Sequence, residues 1–265
     1  MKSIKVNYRG FSHEIHYKEP IQLSTRLNFT DGEISIYGVP PAEAKPLNYG
    51  GTIASMLHGG PCNAYRIDMA PHCHGTHTEC IGHILPEVQN VADLNIEPLI
   101  AATLIRVQLE RRTESTDNYN ASACHRDWLI TRASIDKALR NLSNDYLEAL
   151  IIATAPCNWK QNGNHAPYFS HQAIERIVEL GVQHLLVDIP SIDRLDDGGQ
   201  MDNHHCFWGI KGSSPPKSER RHSTITELIH VPSHVSEGYY FLTLQLPDLA
   251  GDALPSRPEL FTFSS

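Results

Sequence analysis

The chain has 265 residues, 40% of them hydrophobic, which is enough to bury one large core. Its formal net charge of −8 argues against a general nucleic-acid binder, because such proteins need a basic surface. We find no apolar stretch of the ~20 residues that a membrane helix needs, and residues 1–10 do not resemble a signal peptide. The six cysteines are therefore expected to be free thiols in a cytoplasmic protein.

Strand and helix signals alternate along the chain. An alternating apolar pattern predicts a β-hairpin over residues 4–17, with its turn at Arg9 and Gly10. Helices are predicted over residues 134–142 and 170–180, the second ending at Gly181. Later apolar runs predict strands over residues 64–69, 103–109, 149–154, 185–189, 224–231 and 239–246. Together these elements predict an α/β fold in one domain over residues 1–265, with a mixed, β-rich sheet flanked by helices.

One short segment carries an unusual density of metal-binding groups. The segment HCHGTHTECIGH, residues 72–83, holds four histidines, two cysteines and one glutamate. Imidazole, thiolate and carboxylate groups suit zinc, or manganese where oxygen donors dominate. A single loop histidine is most often a surface or hydrogen-bonded residue, but this density of donors predicts a metal site.

The spacing of these groups requires a bend in the chain. The side chains that share one face of an extended segment are those of Cys73, His77, Glu79 and His83. His77 and Glu79 would lie ~6–7 Å apart, close enough to share a cation. Cys73 and His77 would be ~13 Å apart in a straight strand, so the chain must bend between them. Gly75 permits such a bend because glycine tolerates positive φ.

The other groups of the segment have simpler interpretations. His72 and His74 have the opposite parity and are interpreted as flanking residues that support the ligands. Cys80 is expected to be a small buried hydrophobe. The motifs HExxH, GxSxG and the P-loop are absent from the sequence, which leaves the cluster without a common catalytic signature.

The segment CHGTHTECIGH resembles the signature HxGTHxDxPxH of the cyclase family, which includes bacterial kynurenine formamidases and related metal-dependent amide and lactam hydrolases. The resemblance implies that His77 is a metal ligand and that His83 is the catalytic acid/base. Cys73 stands where the family has its first ligand histidine, and Glu79 stands where it has a ligand aspartate. The fold implied is that of the kynurenine formamidases.

Four later segments match the family in the same order. VDIPSID, residues 187–193, resembles GxDxxSxD and implies orienting roles for Ser191 and Asp193, for which helix capping is an equal alternative. HHCFWG resembles HxxLLG and implies that His204 is a metal ligand. ITELI resembles the segment that supplies a ligand glutamate, here Glu227. ALPSRPELF resembles the family's tail SPVRP.

The departures from the signature bear on the metal. A thiolate from Cys73 favours zinc over manganese, although three anionic ligands would make the ion a weaker Lewis acid. We therefore expect one or two zinc ions, with manganese the less favoured metal. The first ion would be held by Cys73, His77 and Glu79, and the second would be shared through Glu79 with His204 and Glu227.

The sequence thus predicts a metal-dependent hydrolase of amide-type bonds in small molecules. By resemblance it is arylformamidase-like, acting in tryptophan catabolism on N-formylkynurenine, or on a related formamide, lactam or cyclic imide. His83 would carry the proton, because imidazole titrates near neutral pH. His74 and Trp208 are assigned to the surroundings of the site, with core packing as the alternative for Trp208. Arg257 has two possible partners, a carboxylate of the substrate or an acidic residue of the protein, and the sequence does not choose between them.

Two other functions stay open. Cys73 could act as a nucleophile activated by a histidine, without any metal. The chain could also be a catalytically inactive member that binds a ligand or a partner through the inherited pocket. The resemblance further implies a homo-oligomer.

Overall fold

The computed structural model describes residues 3–29, 35–155, 166–210 and 218–264. Within these residues the α-helices are α1 (Arg132–Leu139), α2 (His171–Glu179) and α3 (Asp202–Trp208). The strands are β1 (Ile4–Tyr8), β2 (Phe11–Ile15), β3 (Ile21–Gln22), β4 (Glu43–Pro46), β5 (Asn48–Tyr49), β6 (Thr52–Ile53), β7 (Tyr65–Asp68), β8 (His77–Glu79), β9 (Ile100–Gln108), β10 (Glu110–Arg111), β11 (Trp128–Ile130), β12 (Ala149–Ala155), β13 (Tyr168–Phe169), β14 (His184–Val187), β15 (Thr224–Glu227), β16 (Gly238–Gln245), β17 (Ala253–Pro255), β18 (Arg257–Phe261) and β19 (Phe263–Ser264).

A nine-stranded sheet organises the described part of the chain, in the order β17-β8-β15-β14-β12-β9-β16-β18-β3. The four strands β15, β14, β12 and β9 run parallel to their neighbours at the centre. Antiparallel strands extend this centre on both sides. The predicted mixed, β-rich sheet is therefore confirmed.

The central strands alternate their side chains between two apolar cores. On β9, Ile105 and Val107 join the core that contains residues of all three helices, whereas Ala102 and Leu104 join the core on the opposite face. The helices among the described residues therefore cover one face of the sheet. We call this the helical face, and it carries the candidate site.

Most predicted elements appear within a few residues of their expected bounds. The opening hairpin forms from β1 and β2, and β19 pairs with β2 to make it a three-stranded sheet. Helix α2 begins after Ser170, whose hydroxyl accepts a hydrogen bond from the amide of Ala173, and so has the predicted N-cap. The strand predicted over residues 64–69 forms as β7, but it pairs with β4 in a separate two-stranded sheet.

Several short strands, among them β8 and β17, were not predicted. Two further differences concern elements that carry residues of the site. Strand β15 ends at Glu227 instead of residue 231, because Leu228 has a φ of 57° and leaves the extended region. Helix α3 was not predicted. It has only seven residues and follows Met201, which has a φ of 51° and offers no side-chain cap. Its first turn is instead capped from a distance by Asp193, whose carboxylate accepts hydrogen bonds from the amides of Asn203 and His204.

Candidate metal centre

Strand β8 presents two predicted ligands to the helical face. Its antiparallel register with β15 places His77 opposite Glu227 and Glu79 opposite Ile225. Directly opposed residues share a face, and Ile225 belongs to the core of the helical face. His77 Nε2 accordingly lies 3.6 Å from Glu227 Oε2, with both side chains buried. The register of two short strands therefore brings together residues that lie far apart in the sequence.

The predicted bend lies at Gly75, which has a φ of 89°. Thr76 anchors the segment after the bend: its hydroxyl donates to the carbonyl of Leu228 at 2.6 Å and accepts from the amide of Thr25 at 2.8 Å. The carbonyl of Gly75 accepts a hydrogen bond from His77 Nδ1 at 3.0 Å. The bend thus orients His77 as well as turning the chain.

His72, and not Cys73, faces Glu79. Residues Pro71–Cys73 form a single turn of 3-10 helix, in which successive side chains are about 120° apart and extended-chain parity does not hold. His72 Nδ1 lies 3.1 Å from Glu79 Oε2. Among the described residues, three groups of donor atoms are close enough to hold a metal ion; two of them include His72 and none includes Cys73. The thiol of Cys73 is buried, and burial raises its pKa.

Helix α3 supplies His204 from the other side of the site. His204 Nε2 lies 2.9 Å from Glu79 Oε1 and 3.9 Å from Glu227 Oε1, so the side chains of Glu79, His204 and Glu227 lie close together. Asp193 accepts a hydrogen bond from His204 Nδ1. Because the same carboxylate caps the first turn of α3, both predicted roles of Asp193, orienting and capping, are present in the structure.

The charges of the cluster are tightly coupled. Burial by itself would raise the pKa of Glu79, but His204, together with His72 and His83, holds that pKa well below its ordinary value. Burial would lower the pKa of His204, yet Glu79 and Asp193 raise it well above the usual range. His72 follows the same pattern: burial lowers its pKa, and Asp252 and Glu79 raise it to about 9. A metal ion binds only the deprotonated form of these groups, so it would have to displace the protons of His72 and His204.

Two deeply buried atoms test whether a cation fits this cluster. His77 Nε2 and Glu79 Oε2 make no hydrogen bond with the described residues. Because His77 Nδ1 donates its proton to Gly75, the neutral ring presents a lone pair at Nε2, facing the acceptor oxygens of Glu227. A proton or a metal ion at Nε2 would relieve this contact between a lone pair and a carboxylate. Three groups of donor atoms among the described residues lie close enough together to hold an ion: His72, His77 and Glu79; Glu79, His83 and His204; and His72, His83 and Asp252.

A cavity of about 380 Å³ opens above this cluster. Glu79, His204 and Glu227 lie at its wall, and His83 lines it with a quarter of its side chain exposed. Ser191 also lines the cavity, and its hydroxyl accepts from the amide of Asp193. The cavity therefore joins the cluster to a space that can admit a small molecule.

Comparison with known proteins identifies the family. A family model named Cyclase and described as "Putative cyclase" matches residues 11–194, more than half of the chain. The chain belongs to the Cyclase family. The match includes the segment 72–83 and the segment 187–193, and it ends before His204 and Glu227, which only the fold brings to the same site. No curated protein matches the chain.

Several solved structures share the Cyclase fold seen here. One, described as a potential metal-dependent hydrolase with cyclase activity, is 17% identical, with a TM-score of 0.57 and coverage of 92% of this chain and 97% of that one. Another, described as a predicted metal-dependent hydrolase from Bacillus stearothermophilus, is 16% identical, with a TM-score of 0.56 and coverage of 92% and 98%. Isatin hydrolase A from Labrenzia aggregata is 11% identical, with a TM-score of 0.60 and coverage of 92% and 93%. At these identities the likeness establishes the fold.

Three residues singled out in the sequence lie outside the cluster. The ring of His74 accepts from the amide of Ala70 and donates to the carbonyl of Pro40, so it ties two loops together. Trp208 is fully buried and donates a hydrogen bond to the carbonyl of Ser223. It therefore packs in the core, which was the alternative to a place around the site. Arg257 is 59% exposed and pairs with Glu259 at 2.9 Å, so its partner is a structural acid.

The sequence interpretation missed two residues that contact this cluster, His72 and Asp252. His72 was read as a flanking residue, although it is an imidazole one position from the expected ligand. Asp252 had no motif of its own; the only signal was its place directly before the segment ALPSRPELF. Its carboxylate reaches both His72 and His83.

None of the helices in the described ranges has the length and hydrophobicity needed to cross a membrane.

Proposed function

We propose that this member of the Cyclase family is a metal-dependent hydrolase of an amide-type bond in a small molecule. The observation that carries the proposal is the buried Nε2 of His77, which has no hydrogen-bond partner among the described residues, lies opposite Glu227 and is within reach of Glu79. The described Cyclase-fold structures that carry a hydrolase description support the same activity.

We propose the following side chains as the metal ligands. His72, His77 and Glu79 would hold one ion, and Glu79 would share a second ion with His204 and Glu227. With His72 in place of Cys73 as a ligand, the donors are imidazole and carboxylate groups, which suit zinc or manganese. Zinc is therefore the first metal to test and manganese the second. When bound, such an ion supplies Lewis-acid activation of water and of the substrate carbonyl.

The protein's own contribution to the reaction is the proton transfer. Hydrolysis forms a bond between the water oxygen and the carbonyl carbon, breaks the carbon–nitrogen bond, and moves one proton from water to the leaving nitrogen. His83 lines the cavity with Nε2 3.8 Å from Glu79 Oε2, so it is placed to accept that proton and return it to the amine. Ser191 also lines the cavity, and we propose that it hydrogen-bonds the substrate.

The substrate we propose is a formamide, lactam or cyclic imide on an aromatic ring, with N-formylkynurenine as the arylformamidase candidate. The cavity volume of about 380 Å³ suits a molecule of this size. The isatin hydrolase with the same fold supports the lactam and imide part of this range. We further propose, as the family resemblance implies, that the protein is a homo-oligomer.

The test is an activity panel on protein of known metal content. Metal is removed by chelation, restored as zinc or manganese, and quantified by elemental analysis. N-formylkynurenine, a simple aryl formamide and isatin are then assayed. We expect metal-dependent turnover of at least one of them; protein that binds metal fully and turns over none would favour the inactive, ligand-binding alternative. Activity that survives metal removal and is lost on alkylation would favour a Cys73 nucleophile, which the burial of its thiol disfavours.

A further inference from the structure

One carboxylate oxygen outside the predicted site binds two of its histidines. Asp252 Oδ2 lies 2.8 Å from His72 Nε2 and 3.2 Å from His83 Nδ1. The two imidazole rings stack at 4.0 Å between centroids, with 27° between their planes. The sequence analysis assigned Asp252 no role, and the proposed reaction does not use it.

The chemistry of these contacts determines the tautomer of each ring. An ionised carboxylate only accepts hydrogen bonds, so each ring nitrogen that faces Asp252 carries a proton. In neutral rings, His72 is then protonated at Nε2 and presents a lone pair at Nδ1. His83 is protonated at Nδ1 and presents a lone pair at Nε2. The same oxygen thus selects opposite tautomers in two neighbouring histidines.

Both remaining lone pairs point to the same atom. His72 Nδ1 lies 3.1 Å and His83 Nε2 lies 3.8 Å from Glu79 Oε2, the buried oxygen that lacks a hydrogen bond. Asp252 therefore orients one ring toward a position where it can hold a cation and the other toward the cavity. A hydrogen-bonded carboxylate behind a ligand histidine is a common device for setting its tautomer and orientation.

The backbone holds Asp252 in place independently of its side chain. Its carbonyl accepts a hydrogen bond from the amide of Cys80 at 2.9 Å, and the neighbouring Ala253 pairs with Glu79 across β17 and β8. A change of the side chain leaves both of these backbone contacts intact. The carboxylate can therefore be tested separately from the segment that carries it.

We propose that Asp252 is a positioning residue of the metal centre, which fixes His72 as a ligand through Nδ1 and His83 as the proton carrier through Nε2. The proposal rests on the proposed function for the roles of the two rings, but the tautomers can be measured without any substrate.

The first experiment measures zinc affinity by competition with a chromophoric chelator. Asp252→Ala should weaken zinc binding about 10–100-fold, the usual effect of removing the hydrogen-bond partner of a ligand histidine. Asp252→Asn keeps one acceptor oxygen and should restore part of the loss. Asp248→Ala is the matched control, because Asp248 is an exposed carboxylate on the same connection before β17. It should bind zinc like the wild type.

The second experiment observes the rings directly by two-bond ¹H–¹⁵N NMR correlation of histidine side chains in the zinc-loaded protein, in mildly alkaline buffer. The wild-type His83 signal, assigned by its loss in His83→Gln, should show the Nδ1–H tautomer. In Asp252→Ala it should change to the Nε2–H form that free imidazole side chains prefer. A purely structural role for Asp252 would not produce this change.

The outcomes separate this proposal from the proposed function. An Nε2–H tautomer in the wild type, or zinc affinity within twofold of wild type in Asp252→Ala, overturns the proposal, as does a wild type that binds no zinc. Should zinc affinity and tautomer respond as expected while no amide is hydrolysed, the positioning role stands and the hydrolase function fails.

Discussion

Glu79 Oε1 lies 2.9 Å from His204 Nε2, although 125 positions separate the two residues in the chain. Strand β8 carries one partner and helix α3 the other, and the contact is completely buried. A buried carboxylate and imidazole at this distance have either a proton or a metal ion between them. This contact decides that the segment 72–83 and the last third of the chain form one site.

The choice of ligand between His72 and Cys73 can be tested by metal content. His72→Ala should weaken zinc binding by more than about 100-fold, because losing a ligand costs more than losing the hydrogen-bond partner of one. Cys73→Ser removes the neighbouring thiol and should leave zinc content unchanged. Elemental analysis after dialysis against a weak chelator distinguishes the two. Loss of zinc in Cys73→Ser and retention in His72→Ala would restore the ligand set inferred from the family signature.

The bend at Gly75 should be required for the site as well as for stability. Gly75 has a φ of 89° and room for a methyl group, so Gly75→Ala should cost about 1–2 kcal/mol of unfolding free energy through backbone strain. Gly181→Ala is the control, because Gly181 has a φ of 78° with nothing within 4 Å and lies at the end of α2. Both variants should lose similar stability in urea, and only Gly75→Ala should also bind zinc more weakly. Equal zinc affinity in the two would show that the bend does not orient His77.

The role of His83 predicts a loss of turnover without a loss of metal. His83→Gln should lower kcat by about 10²- to 10⁴-fold, the usual contribution of a positioned acid/base, with zinc content unchanged. The measurement pairs steady-state kinetics on whichever amide is hydrolysed with elemental analysis of the same sample. A variant that keeps wild-type kcat would remove His83 from the proton transfer.

His184 predicts a pH dependence of stability away from the metal centre. Burial, with a smaller effect from Arg220, lowers the pKa of His184 to about 4, against 6.5 in an exposed chain. Between these values the unfolded chain binds a proton that the folded protein does not. The contribution of His184 to the free energy of unfolding is therefore fully present above about pH 6.5 and is lost as the pH falls toward 4.

Urea denaturation of the wild type and of the His184→Gln variant tests the direction of this pH dependence. Glutamine keeps a polar group near Thr224 Oγ1, which lies 2.8 Å from His184 Nδ1, but it does not titrate. When the pH falls from about 7.5 to about 5, the free energy of unfolding of the wild type should decrease by about 2 kcal/mol more than that of the variant. This value follows from a change of about 1.36 kcal/mol per pH unit between the two pKa values. The comparison cancels the other titrating groups, which both proteins share. Parallel losses would mean that His184 is protonated in the folded protein.

Much of the fold could be predicted from the sequence because the patterns that specify these elements are local. The parallel centre follows from continuous apolar runs such as residues 149–154, and α2 follows from a capping Ser170 and an apolar stripe that ends at Gly181. Helix α3 could not be predicted from the sequence, because its N-terminal cap is the carboxylate of Asp193, ten residues from Asn203. An element stabilised by a distant side chain leaves no periodic signal in its own seven residues.

For the site, the sequence by itself determined the resemblance to the family and the bend at Gly75, and it predicted His77, Glu79, His204 and Glu227 as ligands. These depend on residue identity and on spacing along the chain. The tertiary structure alone decided that His72 faces Glu79 while Cys73 does not, because a turn of 3-10 helix replaces the extended backbone that spacing assumes. It also brought Asp252 to His72, because a contact across 180 positions is created by the pairing of β17 with β8 and by nothing in the neighbouring sequence.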